Sequence, residues 1–133
     1  MALYDEQGFI TALDEREIFV FGSNLLGNHA GGAARTAVEK FGAIMGRAFG
    51  WQGQSWAIPT LGTDMKKVSK LELATVLEQL FIDCLNNPQY TFYLTPIGQG
   101  IAGWGRDEIQ EILDEIVTED MPYPENLIQI GWR

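Results

Sequence analysis

Twice in this chain an apolar, strand-like run opens directly into a glycine-rich loop and then into a run with helical spacing. Ile18-Phe19-Val20-Phe21 leads into Gly22-Ser23-Asn24-Leu25-Leu26-Gly27-Asn28-His29-Ala30-Gly31-Gly32. Residues 90–95 lead into Gly98-Gln99-Gly100-Ile101-Ala102-Gly103-Trp104-Gly105. Strand, glycine loop and helix in that order turn backbone N–H groups toward a phosphate. Two such units suggest two jaws of one pocket for a phosphorylated small molecule. With 133 residues the chain fits a single domain, residues 1–133, large enough to bury a core without staples.

The remaining periodicity agrees with an alternation of strands and helices. Residues 17–21 read as a strand buried on both faces. Ala34, Ala37, Val38 and Phe41 predict a helix over 32–41, ended by Gly42. Residues 43–54, punctuated by Gly46, Gly50 and Gly53, read as irregular chain or short strands. Ser55-Trp56-Ala57-Ile58 reads as a second strand, stopped by Pro59. Ser69 and Glu72 form an S-x-x-E capping box that opens a helix over about 69–86, with Leu73, Val76, Leu77, Leu80, Phe81 and Cys84 as its apolar stripe. Residues 90–95 are the third strand. Ile109, Ile112, Leu113, Ile116 and Val117 mark a third helix, with Asp107 and Glu108 at the positive end of its dipole. Leu127-Ile128-Gln129-Ile130 alternates as an edge strand does. Such an order implies an α/β fold with a largely parallel sheet and helices on both faces. Ligands of such sheets bind beyond the carboxyl ends of the strands, here the loops 22–32, 59–67 and 96–105.

Charge placement points to the same edge. The net charge of −9 argues against extended nucleic-acid binding, which needs many Lys and Arg on phosphates. Asp5, Glu6, Asp14, Glu15 and Glu17 crowd the start, and eight acids fall from Asp107 to Glu125. Between Ile18 and Thr63 the single acid is Glu39, and residues 84–106 have none before Asp107. Both glycine loops thus lie where fixed negative charge would not repel an anion. The single cysteine, Cys84, fits a reducing compartment. No apolar run reaches a membrane-span length, and the start Met-Ala-Leu-Tyr-Asp-Glu-Gln has neither a basic region nor an apolar signal core, so a cytoplasmic location and no membrane partner are expected.

Several residues at that edge can carry chemistry, each with a structural alternative. Asn24 either reads ribose hydroxyls or closes an Asx-turn. Trp104 either stacks on a base or ribose at the ligand mouth or forms an aromatic lid on the core. His29, the one histidine, either serves as acid–base or lines its loop. Asp64 is the acid nearest the rim, among Lys66, Lys67 and Lys70, which are a solvated face or meet ligand phosphates. One His and one Cys do not make a zinc site, and no cofactor or metal is expected. No Gly-Lys-Ser/Thr P-loop occurs, and Gly98-x-Gly100 lacks the third glycine of a dinucleotide fingerprint. Ser23 and Ser55 have no His–Asp constellation around them for a hydrolytic triad.

In the order of these features the chain resembles a macro domain, the ADP-ribose-binding module, over roughly residues 8–131. Ile18 to Asn24 is similar to the family's strand ending in Asn, and Leu25-Leu26-Gly27 to Gly32 is similar to its first loop. Thr95-Pro96-Ile97-Gly98-Gln99-Gly100-Ile101-Ala102-Gly103-Trp104 is similar to its second loop, and Gly8-Phe9-Ile10-Thr11 to its Gly-Asp-Ile-Thr segment. The chain also resembles a small group of phage and bacterial proteins carrying Phe-Gly-Ser-Asn, here Phe21 to Asn24, and Gln-Gly-Gln-Ser-Trp/Tyr-Ala-Ile-Pro-Thr, here Gln52 to Thr60. The resemblance implies a three-layer α/β/α sandwich with a mixed, mostly parallel sheet. It implies a cleft for ADP-ribose or a related nucleotide diphosphate derivative, lined by Ser23, Asn24, Gly31, Gly32, Ala33, Gly98, Gln99, Gly100, Ile101, Ala102, Gly103 and Trp104. If the domain hydrolyses an ADP-ribosyl or phosphate ester bond, Asn24 would orient the water, with Asp64, His29 or Gln99 assisting. Phe9 stands where the family has its adenine-reading Asp, and residues 22–38 contain no Asp or Glu where hydrolytic members carry one. The alternative expectations are a non-catalytic module that sequesters a nucleotide and a protein-interaction module.

Overall fold

The computed structural model describes residues 2–5, 9–29, 31–100 and 102–132. In chain order the elements are β1 (Leu3–Tyr4), β2 (Ile10–Ala12), β3 (Glu17–Asn24), α1 (Gly32–Lys40), β4 (Gly50–Gln52), β5 (Ser55–Leu61), α2 (Lys70–Asn86), β6 (Thr91–Leu94), α3 (Arg106–Ile116) and β7 (Leu127–Gln129). Five strands form one mixed sheet in the order β4-β5-β3-β6-β7, and β1 and β2 form a separate antiparallel ribbon. β3 pairs in parallel with β5 and with β6, β6 pairs in parallel with β7, and only β4 runs antiparallel.

The period-2 alternation of β3 divides the core. Ile18 and Val20 face the side where Trp56, Ile58, Phe92 and Leu94 meet Leu73, Leu77, Leu80 and Phe81 of α2 and Ile109, Ile112 and Leu113 of α3. Phe19 and Phe21 face the other side with Ala57, Tyr93, the α1 residues Ala34 and Ala37, and Phe41. Helices therefore cover both faces of a five-stranded sheet, as an α/β fold requires. Each large side chain buried this way contributes about 1.5–3 kcal/mol.

α2 forms where its signals place it. Ser69 Oγ accepts a hydrogen bond from the Glu72 amide at 3.1 Å, and Glu72 Oε1 accepts one from the Ser69 amide at 3.3 Å. At the other end, Asn126 Nδ2 donates to the carbonyls of Cys84, Asn87 and Tyr90, which ties the helix terminus to the chain entering β7. β7 lies at the sheet edge, as its alternation predicts.

Two differences from the sequence expectation have physical causes. β5 runs through Pro59 to Leu61 rather than stopping before it. The register of β4 reaches only as far as Ala57, so the missing N–H of Pro59 falls beyond the paired stretch of that edge. β4, in contrast, is the short strand that is one reading of the glycine-punctuated segment, held by its pairing with Ser55, Trp56 and Ala57. The β1–β2 ribbon is made of two- and three-residue strands, too short to leave a periodic signal. No helix among the described residues is long and apolar enough to cross a membrane.

Two weak acids meet the core face of α2: Cys84 on the helix and the half-buried Tyr123 against Phe81. Burial drives the Cys84 thiol far above its ordinary 9.0 and pushes the Tyr123 phenol up to about 12. Both protons are held more tightly folded than unfolded, so their contribution is complete below the unfolded values and is lost as pH climbs past them. Unfolding free energy measured by urea titration is expected to hold level up to about pH 8 and to fall steadily from pH 9 to pH 12. Cys84→Ala should delay the onset of that fall toward the tyrosine range.

Candidate functional site

Because β3, β5 and β6 are parallel, the loops that leave them gather at one edge of the sheet. They enclose a cleft of about 510 Å³. Gly22, Ser23, Asn24 and Asn28 line it from the end of β3, and Gly31, Gly32, Ala33 and Ala34 from the start of α1. Thr60, Leu61 and Met65 come from the end of β5 and the loop after it. Thr95, Pro96, Ile97, Gly98, Gly100 and Ala102 come from the loop after β6. The two glycine loops thus form opposite walls of one cavity.

The first wall is the amino end of α1. Its N-cap, Gly31, has extended backbone and offers no side-chain cap, and the first turn carries no acid. A helix leaves its first N–H groups without intrahelical partners, and the macrodipole makes that end positive. A Cβ built on Gly31 or Gly32 would meet nothing within 4 Å, so the approach to these amides is open. An anion can settle here on main-chain donors alone.

The second wall is held down by Trp104. Its amide donates to the Gly98 carbonyl at 2.8 Å, and its Nε1 donates to the Thr60 carbonyl at 3.2 Å. The side chain is 5% exposed, within the core cluster under α2 and α3, with Lys67 Nζ 4.2 Å from its ring centroid. Trp104 is therefore the aromatic lid on the core and is not on the cleft lining; the stacking role expected of it does not fit its burial. Gly98 has φ +68°, and a Cβ there would lie 2.7 Å from Trp104 Cδ1, so glycine is what lets the loop close over the indole.

The expected acid–base residues do not converge. Asn24 reaches the cleft, but its carboxamide closes the following turn: Nδ2 donates to the Asn28 carbonyl at 2.9 Å and Oδ1 accepts from the Asn28 amide at 3.1 Å. His29 is 1% exposed, hydrogen-bonded through Nε2 to the Arg47 carbonyl at 2.8 Å and edge-on to Phe21, away from the lining. Asp64 is exposed and accepts from the Lys66 amide at 2.9 Å, which shapes its own turn. Gln99 and Gly103 are outside the lining, and the buried Gln99 Nε2 has no hydrogen-bond partner among the described residues. Ile101, and Gly8 of the segment before β2, lie outside the described residues. Lys67 and Lys70 pair with Glu108 and with Glu111 and Glu115, so they belong to the solvated face between α2 and α3. The Gly105 amide and the Lys67 ammonium together hold the Glu108 carboxyl below its usual range.

The first loop is fastened from behind by residues 43–52. Ser23 Oγ donates to the Ala48 carbonyl, and the Gly46 amide donates to the Gly27 carbonyl at 2.7 Å. Gln52 Nε2 joins His29 on the Arg47 carbonyl, while Gln52 Oε1 accepts from the Ile44 amide. Gly27 approaches Gly46 so closely that a Cβ on it would be 2.4 Å from the Gly46 carbonyl carbon.

A second cavity, about 760 Å³, adjoins the first and shares Gly32, Ala33, Thr95 and Pro96 with it. Phe9, Ile10, Phe19, Thr36, Ile130 and Gly131 complete its lining. Its two hydroxyls are turned to main-chain carbonyls, Thr95 Oγ1 to Val20 at 2.6 Å and Thr36 Oγ1 to Gly32 at 3.5 Å. Phe9 stands 68% exposed at its rim. No titratable side chain is among the described lining residues of either cavity. The described lining thus offers main-chain N–H groups at the start of α1 beside an apolar surface, and no titratable group. Sequence reasoning did not single out Gly22, Asn28, Ala34, Thr60, Leu61, Met65, Thr95, Pro96 and Ile97 as lining. Thr95, Pro96 and Ile97 stood in the second loop's motif, and Thr60, Leu61 and Met65 in the loop 59–67 that the strand order placed at the ligand edge, with nothing in the residue type to mark Met65. Comparison with protein-family models, with curated proteins and with solved structures finds no match to this chain.

Two glycines of the cleft separate close packing from open approach. Gly98→Ala must adopt a left-handed backbone, at roughly 1–2 kcal/mol, and also displace the Trp104 ring. Gly31→Ala meets open space in an extended backbone and should stay within about 0.5 kcal/mol of the parent. Denaturant titration of the two variants is expected to give a loss of more than 2 kcal/mol for the first alone.

Proposed function

We propose that this chain is a macro-like domain that captures ADP-ribose or a related nucleotide diphosphate derivative without hydrolysing it. The observation that carries the reading is the cleft between two glycine loops, with no carboxylate among its described lining residues and with the uncapped amino end of α1 as one wall. The diphosphate would lie against that end, on amides of residues 32–34. The base would enter the apolar cavity beyond Ala33 and Pro96, where the exposed ring of Phe9 offers a stacking face. From β7 to β5 the sheet spans three inter-strand steps, about 14 Å at ~4.8 Å each, which suits a ligand of nucleotide-diphosphate-sugar length. The mixed sheet with helices on both faces is compatible with the macro-like sandwich, and the single buried Cys84 suits a cytoplasmic setting.

Capture rather than turnover is favoured by where the candidate catalytic groups point. The Asn24 carboxamide is committed to Asn28, His29 to Arg47, and Asp64 to its own turn. With no Lys or Arg among the described lining residues, affinity should depend only weakly on ionic strength.

Calorimetry with ADP-ribose is expected to show one site. Saturation at 100 times Kd should raise the unfolding free energy by about 2.7 kcal/mol. Ala33→Glu places a carboxylate on an exposed first-turn position shared by both cavities. It should weaken binding at least tenfold, about 1.4 kcal/mol, while leaving the free protein's stability within about 0.5 kcal/mol. Chromatography of ADP-ribose 1″-phosphate and of ADP-ribosylated protein after incubation should recover both unchanged. Release of phosphate or of ADP-ribose would overturn the capture reading, and unaltered affinity in Ala33→Glu would overturn the placement of the ligand.

A further inference from the structure

Among the described residues Met65 is the one non-glycine with a left-handed backbone, at φ 60°. Nine described positions with positive φ carry glycine, so the chain supplies glycine at this conformation everywhere else. A long side chain there is strained, and it persists where the surroundings over-determine the turn. They do so here. The Gly62 amide donates to the Lys66 carbonyl at 2.7 Å, the Met65 amide to the Gly62 carbonyl at 3.0 Å, and the Lys66 amide to Asp64 Oδ1 at 2.9 Å. Leu61 and Lys67 close the loop as an antiparallel bridge. The result of this frame is a thioether side chain, 47% exposed, held on the lining of the cleft.

Its place in the sheet order gives the strain a use. Met65 follows β5, on the opposite side of β3 from β6 and β7, where the apolar cavity opens. A ligand with its base in that cavity and its diphosphate at α1 meets Met65 with whatever extends past the diphosphate. Leu61, at the end of β5 where this loop begins, is a second apolar lining residue on that side. A polarisable, flexible thioether packs well against the carbon face of a sugar ring.

We propose that Met65 makes this cleft select nucleoside diphosphates extended by a sugar over bare nucleoside diphosphates. The selection rests on the nucleotide-diphosphate reading above. Glycine at position 65 would relax the backbone and remove the selecting group, which accounts for methionine at a position whose geometry suits glycine.

The test is calorimetric titration of ADP and of ADP-ribose into the parent, Met65→Ala and Met65→Gly, with thermal unfolding of each. The parent should bind ADP-ribose more tightly than ADP. Both variants should bring the ratio of the two affinities down by at least about fivefold, the loss of one side chain's apolar burial. Met65→Gly should do so with an unfolding midpoint no lower than that of Met65→Ala, because only glycine relieves the left-handed strain. An unchanged ratio in the variants, or a parallel loss for both ligands, would overturn the selection. A parent that binds the two ligands equally would also overturn it and leave the nucleotide-diphosphate reading standing. A parent that binds neither would remove that reading and the selection with it.

Discussion

β3 hydrogen-bonds in parallel to β5 on one side and to β6 on the other, and parallel strands deliver their carboxyl ends to the same edge of a sheet. Everything at the cleft depends on this. The register Phe19 to Ser55 and Phe19 to Tyr93 sets the heights at which the three loops depart. Burial on both faces locks that register, because a slip of one residue would send Ile18 and Val20 to the α1 side and Phe19 and Phe21 to the α2 side. The core therefore fixes the distance between the two loops, and Ile97 and Trp104 tie the second of them directly into it.

The cleft is built from main chain more than from side chains. The charge selectivity proposed for it would rest on amides at the start of α1 and on the absence of carboxylates among its described lining residues, in a chain with eighteen Asp and Glu. Recognition by oriented backbone dipoles requires little rearrangement when an anion arrives, since the helix already holds them. Of the side chains considered for proton transfer, Asn24 and Asp64 are engaged in their own turns and His29 bonds the Arg47 carbonyl through Nε2.

Features whose cause is local were legible in the sequence. The capping box of Ser69 and Glu72, the stripe of α2 and the glycine ending α1 each depend on a few consecutive residues, and each stands within one or two residues of its expected place. Both glycine loops were legible for the same reason. What was not legible depends on contacts across the chain. Pro59 stays in a strand because β4 ends at the register of Ala57. Trp104 has the composition of a ligand-stacking loop residue, but Thr60, forty-four positions away, takes its indole N–H. His29 and Asn24 look like donors to a ligand until the carbonyls of Arg47 and Asn28 are placed beside them. The lining by Met65 required knowing that the loop after β5 folds back as a bridge between Leu61 and Lys67.

The segment from Ala43 to Gln52 has almost no regular structure, yet the carbonyls of Arg47 and Ala48 and the backbone of Gly46 hold the first glycine loop in position. None of residues 43–52 lines either cavity. The edge of the cleft is thus anchored like a tent rope, by a peg outside the tent. If the cleft captures a ligand as proposed, its affinity would answer to changes in this remote stretch, and Gly27 is the residue with least freedom to change, since a Cβ there would run into the backbone of Gly46.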